Sequence, residues 1–323
     1  MEVFNLTLQQ MLVMFIIMAA GYILRKGNYI PENSSVAISK ILAFFLAPAL
    51  TLQNMAVNCT PETFIENSRL FIYSIVIVLI AVGISYCLSA LFVRNKEKSR
   101  ELEYQRQIYK YALTFGNYGY MGTYIILGIW GDEMLFKYNM FCLVLSIVVY
   151  SWGIYILVPK SENSPGILDN LKAGLTTPTM ISILLGVIIG LSGLSRFIPG
   201  FVLSSMETAG NCMGPMSMLL AGIVIGEYNL PELMKNKKIY LVSLLRLIIL
   251  PALFVGALKL MNLPGDIMIV VLIAFATPLG LNTVVFPSAY GGDKKTGASM
   301  TVISSLLSII TIPLMYYVFL VLM

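Results

Sequence analysis

Two stretches rich in glycine, asparagine and proline interrupt apolar segments of the chain, one in each half. They are residues 116–122 and 277–283, and Pro287 closes the second. A helix broken inside a membrane frees backbone N–H and C=O groups, which are tolerated there only if protein covers them or they line a cavity. The new helix N-termini carry about half a positive charge and bind anions without a buried Lys or Arg. The breaks therefore predict capture of a small anion, with a carboxylate as the obvious candidate.

The side chains near the breaks add polar and aromatic groups at the same depth. Asn117 and Asn282 each offer an amide that donates and accepts hydrogen bonds. Tyr124 is a packing residue or a surface on which an aromatic substrate stacks, and the sequence leaves both roles open. The predicted substrate-binding residues are Asn117, Gly119, Gly122, Tyr124, Pro278, Gly280, Asn282 and Thr283.

Two charged residues within apolar segments are candidate supporting charges. Arg246 lies about nine residues past the start of its segment, which is roughly 13 Å along a helix. Intramembrane charges are costly and usually face the bundle interior or water. Arg246 either braces loose backbone carbonyls or helps to hold an anion. Glu207, near one end of its segment, either reaches the membrane interface or carries a coupling proton.

Several classes of chemistry are excluded by what the sequence lacks. It has no histidine, so it contains no Ser-His-Asp or Cys-His nucleophile, no usual zinc motif and no histidine proton relay. Its four cysteines are scattered without a C-x-x-C motif, as expected for packing residues. No P-loop occurs. We therefore expect neither an enzyme nor a site for a cofactor or metal.

Composition places the chain in a membrane. Of its 323 residues, 58% are hydrophobic and 11% charged, with a mean hydropathy of +0.84, whereas soluble domains carry roughly a quarter charged residues. A spanning helix needs about 20 mainly apolar residues. This predicts an all-α integral membrane protein with ten transmembrane segments. They are residues 6–24, 36–57, 69–93, 109–129, 134–158, 178–194, 201–226, 238–260, 266–289 and 297–322.

The basic residues predict how these segments are oriented. Of the 21 Lys and Arg, 16 fall in the odd-numbered connections, 4 in the even-numbered ones, and Arg246 lies inside a segment. Because cytoplasmic loops carry the excess of Lys and Arg, both termini are predicted outside a multi-pass plasma-membrane protein. The net charge of +5 follows from this bias, so we expect the lipid bilayer and no nucleic acid as a partner.

The chain divides into two halves that share landmarks. Five segments in residues 1–158 precede a cytoplasmic linker, residues 159–177, and five follow in residues 178–323. Pro48 and Pro215 occupy the second segment of each half. The spacing from this proline to the asparagine of the break is 69 residues in the first half and 67 in the second. Because five is odd, the second half enters from the opposite side, which predicts inverted five-helix repeats with broken crossover helices 4 and 9.

The same residues resemble the auxin efflux carrier family, the bacterial relatives of plant PIN proteins, which includes malate permeases. The resemblance covers nearly the whole chain. One departure is Tyr124, where the family often has proline after the glycine equivalent to Gly122; Gly119 and Gly122 are then left to supply the break. The matching motifs are the Asn-containing, Gly-rich residues 117–122, the R-x-x-x-x-P pair Arg246 and Pro251, residues 276–278, and the turn at residues 290–293.

This resemblance implies a fold like that of the bile-acid symporters and NhaA. Segments 1, 2, 6 and 7 would form a scaffold, through which the protein forms a homodimer. Segments 3–5 and 8–10 would form a transport domain that carries the crossover and moves as a body to give alternating access.

The predicted function is secondary transport of a small organic anion by this elevator-type movement, in the direction of efflux. The substrate would be a carboxylate, either auxin-like or a dicarboxylate. Two alternatives stay open at the level of sequence: a proton- or sodium-coupled dicarboxylate symporter, and a membrane receptor that binds the ligand without moving it.

Overall fold

The computed structural model describes residues 2–93, 99–158, 166–280, 282–284 and 294–322, and these residues form helices joined by short turns, with no strand among them. The turn predicted at residues 290–293 lies outside the described residues, as do Pro287 and residues 159–165 of the linker. We number eleven helices. They are α1 Glu2–Lys26, α2 Ser34–Asn58, α3 Arg69–Phe92, α4 Arg100–Thr114, α5 Thr123–Val148, α6 Ile167–Leu175, α7 Pro178–Leu191, α8 Gly200–Gly226, α9 Lys237–Leu260, α10 Gly265–Ala276 and α11 Lys294–Tyr316.

The described helices confirm an all-α membrane protein. By length and composition, seven helices can cross a membrane, and an eighth if α6 and α7, bent by 58°, form one span. One of the seven is a 58-residue run, Arg100–Leu157, that contains the fourth and fifth predicted segments. Within it, Gly131 has a φ of +76° at a kink, a conformation that favours glycine. The count of ten spans and their inverted repeat stay predictions.

Two proline-bearing helices widen locally just before the proline. Residues Leu42–Leu46 in α2 and Leu245–Ile249 in α9 form π-helical turns, and Pro48 and Pro251 follow them. Proline has no N–H and its ring crowds the preceding turn, so the helix accommodates it with a π-bulge, a feature frequent at functional sites. The bulge in α9 contains Arg246.

Four helices form two tightly packed pairs, α1 with α8 and α2 with α7. In each pair, glycines bring the two backbones into contact. A Cβ on Gly222 of α8 would lie 1.9 Å from the carbonyl oxygen of Met18, and one on Gly190 of α7 would lie 2.4 Å from that of Cys59. Side chains cannot fit between these backbones, so each pair forms a rigid unit. We call these four helices the paired group.

Six of the remaining helices pack around the two breaks. Helix α3 packs on α4 and α5, α9 packs on α10, and α11 packs on α9 and α10. We call α3–α5 and α9–α11 the crossover group. Helix α6 leads into α7, and its Gly174 packs against Tyr150, two residues past the end of α5. The linker helix therefore joins the crossover group to the first residues of α7.

Candidate functional site

The two breaks touch each other directly. The backbone N–H of Asn117 donates a 2.7 Å hydrogen bond to the carbonyl oxygen of Pro278. A Cβ built on Gly280 would lie 3.4 Å from Cα of Asn117. A backbone donor freed by the first break thus finds its acceptor in the second, which is how non-helical backbone is satisfied at membrane depth.

The first break lies at the start of the predicted stretch, residues 116–122, and not at its later glycines. Helix α4 ends at Thr114, residues 115–117 are non-helical, and a π-helical turn begins at Tyr118. The prediction that Gly119 and Gly122 supply the break is therefore wrong, because both lie within that turn. Gly116 is the residue that the break requires: a Cβ there would lie 2.4 Å from Nη2 of Arg246 and 2.6 Å from the carbonyl oxygen of Thr277.

Helix α5 holds the turn that follows the first break. The hydroxyl of Tyr138 donates to the carbonyl oxygen of Tyr118 at 2.9 Å, and the hydroxyl of Tyr118 pairs with Ser146 at 3.1 Å. Gly122 is close to the same phenol, since a Cβ there would lie 2.0 Å from Oη of Tyr138. Gly122 therefore supports the break by close packing, whereas Gly119 has open space around it and is exposed.

Helix α11 holds the second break in the corresponding way. The N–H of Leu279 donates to Oγ of Ser304 at 2.9 Å, and the hydroxyl of Thr301 donates to the carbonyl oxygen of Gly280 at 3.4 Å. Thr283 is buried, with its hydroxyl 3.3 Å from that same oxygen. Sequence reasoning missed these residues of α11. A stripe of hydroxyl side chains in an otherwise apolar helix was the signal, formed by Ser299, Thr301, Ser304, Ser305 and Ser308.

The two asparagines of the breaks have different surroundings. The Nδ2 amide of Asn282 donates to the hydroxyl of Tyr111 at 2.8 Å. Asn117 instead lines a small cavity between the paired group and the crossover group. Tyr111, which sequence reasoning also missed, lies on α4 one turn before the break.

The cavity beside Asn117 is small and mainly apolar. Its volume is about 20 Å³, which is room for about one water molecule. Helices α1, α8 and α11, together with the turn after the first break, contribute methionine and hydroxyl side chains to it. The walls include Met11, Met14, Met18, Met121, Met218, Leu279, Thr301 and Ser305. An organic anion would need the surrounding helices to separate.

A wider cleft of about 490 Å³ lies next to it, between α1, α2, α5 and α8. Gln10 lines the cleft and precedes the cavity residues of α1, so the cleft lies on the side of the N-terminus. Tyr124 also lines it, with its ring against the backbone of Gly214: a Cβ there would lie 1.9 Å from Cδ2 of Tyr124. Tyr124 was predicted to bind substrate at the breaks. Its ring instead forms part of the wall of the neighbouring cleft.

Arg246 is 2% exposed and lies behind the crossover. Its Nη1 donates to the carbonyl oxygen of Thr114 at 2.9 Å, and its guanidinium lies 5.6 Å from the ring centroid of Phe275. Nε and Nη2 have no hydrogen-bond partner. Arg246 lines neither the cavity nor the cleft. These contacts favour the brace over the direct anion ligand.

The other charged candidate is remote from the crossover. Glu207 is exposed on α8 and lines neither the cavity nor the cleft. At the turn after α8, Glu232 pairs with Lys295 at the start of α11, and this hydrogen bond holds the pKa of the Glu232 carboxyl below its ordinary value. Within the described part of the chain, no group of three or more His, Cys, Asp or Glu is placed to hold a metal ion.

Comparison with known proteins identifies the family of this chain. The chain matches the family described as membrane transport protein over residues 6–166 and 167–316. It is 23% identical over 310 residues to an uncharacterized transporter of Methanocaldococcus jannaschii, and the match covers 94% of this chain and 96% of that protein. The fold and these matches define a multi-pass membrane transporter. The chain belongs to the membrane transport protein family, that of the auxin efflux carriers.

Proposed function

We propose that this transporter moves a small organic anion, a carboxylate that is auxin-like or a dicarboxylate, by elevator-type alternating access in the direction of efflux. The observation that carries the proposal is the contact between the two breaks, Asn117 N–H to Pro278 O at 2.7 Å, beside a cavity between two groups of helices. A transporter's substrate site is expected at paired broken helices. Asn117 is the amide best placed to meet a carboxylate there.

The packing supports movement of the crossover group against the paired group. The paired group is held by backbone contacts at glycines, so it suits a scaffold. The cavity wall between the groups is rich in methionine, whose flexible side chain repacks easily. Two hydrogen bonds of Asn54 cross this boundary near the cleft: Asn139 donates to Oδ1 of Asn54, and Asn54 donates to the carbonyl oxygen of Asp132, each at 3.0 Å. A sliding movement would break them.

The inverted repeat is part of the proposal, and the packing supports it. A two-fold relation between the halves exchanges the first two spans with the sixth and seventh, which would turn the pair α1–α8 into the pair α7–α2. Both pairs are present, and both use glycine. The same relation exchanges α5, which holds the first break, with α11, which holds the second.

Substrate binding and transport are tested in sequence. Purified protein is screened for a rise in melting temperature with monocarboxylates and dicarboxylates, because a ligand that binds the folded state stabilises it. Counterflow of the best ligand in proteoliposomes then separates a transporter from a receptor, which gives no counterflow. Dependence on a proton or sodium gradient separates a symporter from a uniporter. Stabilisation by cations or neutral solutes with none by any carboxylate would contradict the proposal.

Topology is the most direct test of the membrane arrangement. A single cysteine at Lys237 or Lys98 should react only with membrane-permeant reagents in intact cells, since these positions belong to the basic connections. A cysteine at Glu62 should react with impermeant reagents. The four native cysteines are first replaced to give a silent background. Labelling from the opposite sides would overturn the predicted orientation, with both termini outside the plasma membrane.

A further inference from the structure

We infer that Arg246 gives the crossover its net positive charge without touching the substrate, and that its single charge offsets the negative ends of two half-helices at once. This inference rests on the proposed function, because it concerns how the same site favours an anion. Arg246 is a positioning and charge-setting residue in this view, and Asn117 is the contact residue.

Two helix C-termini meet at the guanidinium. Helix α4 ends at Thr114, whose carbonyl oxygen accepts the 2.9 Å hydrogen bond from Nη1. Helix α10 ends at Ala276 and is followed by Thr277. A Cβ built on Gly116 would lie within 2.6 Å of both the carbonyl oxygen of Thr277 and Nη2 of Arg246, so both groups border Gly116. The side chain thus reaches the ends of two helices from different halves of the chain.

The charges can be counted approximately. Each helix C-terminus carries about −0.5 of an elementary charge and each N-terminus about +0.5. The C-termini of α4 and α10 therefore contribute about −1, the helix beginning at Tyr118 contributes about +0.5, and the helical residues 282–284 after the second break contribute about +0.5. Without Arg246 these four ends cancel and leave the crossover close to neutral; with it, the crossover carries about one unit of positive charge. The residue therefore supplies the net positive charge that attracts an anion.

Among the described residues, we identify no other charged side chain that offsets these helix ends. None of the ion pairs formed by described residues involves Arg246, so a carboxylate does not cancel its charge. Lys110, also buried on α4, directs its ammonium to the ring of Tyr86, 4.0 Å from the centroid, and a helical side chain leans towards the N-terminus, away from Thr114.

The test compares an acid with its uncharged amide. Phenylacetate and phenylacetamide have nearly the same shape, and their affinities are measured by thermal shift. We expect the wild type to prefer the acid. Arg246→Gln should reduce that preference roughly 10- to 30-fold, the range expected when a charge at partly buried helix ends is removed. Arg246→Lys should retain most of it. Lys110→Met is the matched control, which removes a buried cation from α4 and should leave the preference unchanged.

Chemical rescue separates charge from shape. In Arg246→Ala, free guanidinium at low millimolar concentration should restore the preference for the acid, and urea, its neutral isostere, should not. Restoration by urea as well, or an unchanged acid preference in Arg246→Gln, would overturn the inference. A purely structural role would lower melting temperature in each variant and leave the ratio of the two affinities alone.

A second measurement needs no substrate. If the wild type binds no carboxylate, the proposed function fails, and a cysteine at Asn117 still decides the inference. The rate of its reaction with a small neutral thiosulfonate is measured against pH. Changing Arg246 to Gln in that background should raise the pKa of the thiol, because a positive field favours the thiolate. An unchanged pKa would show that Arg246 does not set the field there.

Discussion

The two breaks are held by similar hydrogen bonds, but their asparagine side chains have different surroundings. Each is held by the last helix of its own half, α5 for the first break and α11 for the second. At the first break Gly116 has no room for a side chain, and Asn117 faces a cavity. At the second break, Gly280 has ordinary van der Waals space, and Asn282 is bound to Tyr111. At the first break the backbone is therefore tightly packed, whereas the side chain of Asn117 is free to contact a molecule in the cavity.

This difference shows that sequence symmetry does not give functional symmetry. The two asparagines occupy matching positions in the halves, and the sequence alone predicts equal roles for them. In the structure only Asn117 lines the cavity. The second break supplies the acceptor, Pro278 O, that fixes Asn117 in place. We therefore expect changes at the first break to have the larger effects.

The largest effect is expected for Gly116→Ala compared with Gly280→Ala. A Cβ at Gly116 collides with the Arg246 guanidinium and with backbone of Thr277, and overpacking of this kind costs about 1–3 kcal/mol or more. The melting temperature should fall by several degrees, with loss of ligand binding. Gly280→Ala should melt within about a degree of the wild type. Equal melting of the two variants would remove the proposed asymmetry in packing.

The next effect is the loss of affinity in Asn117→Ala. A hydrogen bond to a charged group contributes about 1.5–3 kcal/mol, so affinity for the carboxylate should fall roughly 10- to 150-fold while the protein stays folded. Affinity is measured by thermal shift or isothermal titration on protein with an unchanged melting temperature. Gly119→Ala, in open space on the same turn, is the control. Wild-type affinity in Asn117→Ala would show that the anion binds elsewhere.

A smaller effect is expected at the second asparagine, through Tyr111. Asn282→Ala and Tyr111→Phe each remove the same 2.8 Å hydrogen bond, which contributes about 0.5–1.5 kcal/mol. Each should lower ligand affinity about tenfold or less, and the double variant should resemble either single one. A double-mutant cycle on unfolding free energy and affinity checks this. Additive losses would show that the two side chains act independently. A loss of affinity at Asn282 equal to that at Asn117 would show that the two asparagines have equal roles.

Sequence reasoning predicted an all-α membrane protein and found the stretches that hold both breaks, because breaks and apolar runs are local features of composition. It assigned the first break to Gly119 and Gly122 instead of Gly116, because the deciding constraint at Gly116 comes from Arg246, which is 130 residues away along the chain. It could not distinguish Asn117 from Asn282, since the hydroxyl of Tyr111 and the walls of the cavity are tertiary contacts. For Arg246 the sequence left two roles open, a brace for backbone carbonyls and a direct ligand of the anion. The position of its side chain outside the cavity favours the brace.

The bond between Asn117 and Pro278 also has a consequence for how the protein is made. The two residues are 161 positions apart, so at roughly 5–20 residues per second the first break is synthesised about 8–32 seconds before its acceptor. During this interval the N–H of Asn117 must donate its hydrogen bond to water, to lipid headgroups or to the insertion machinery. The first half of the chain is thus an obligate intermediate that is completed only when the second half arrives, and separately expressed halves should be stable only when produced together.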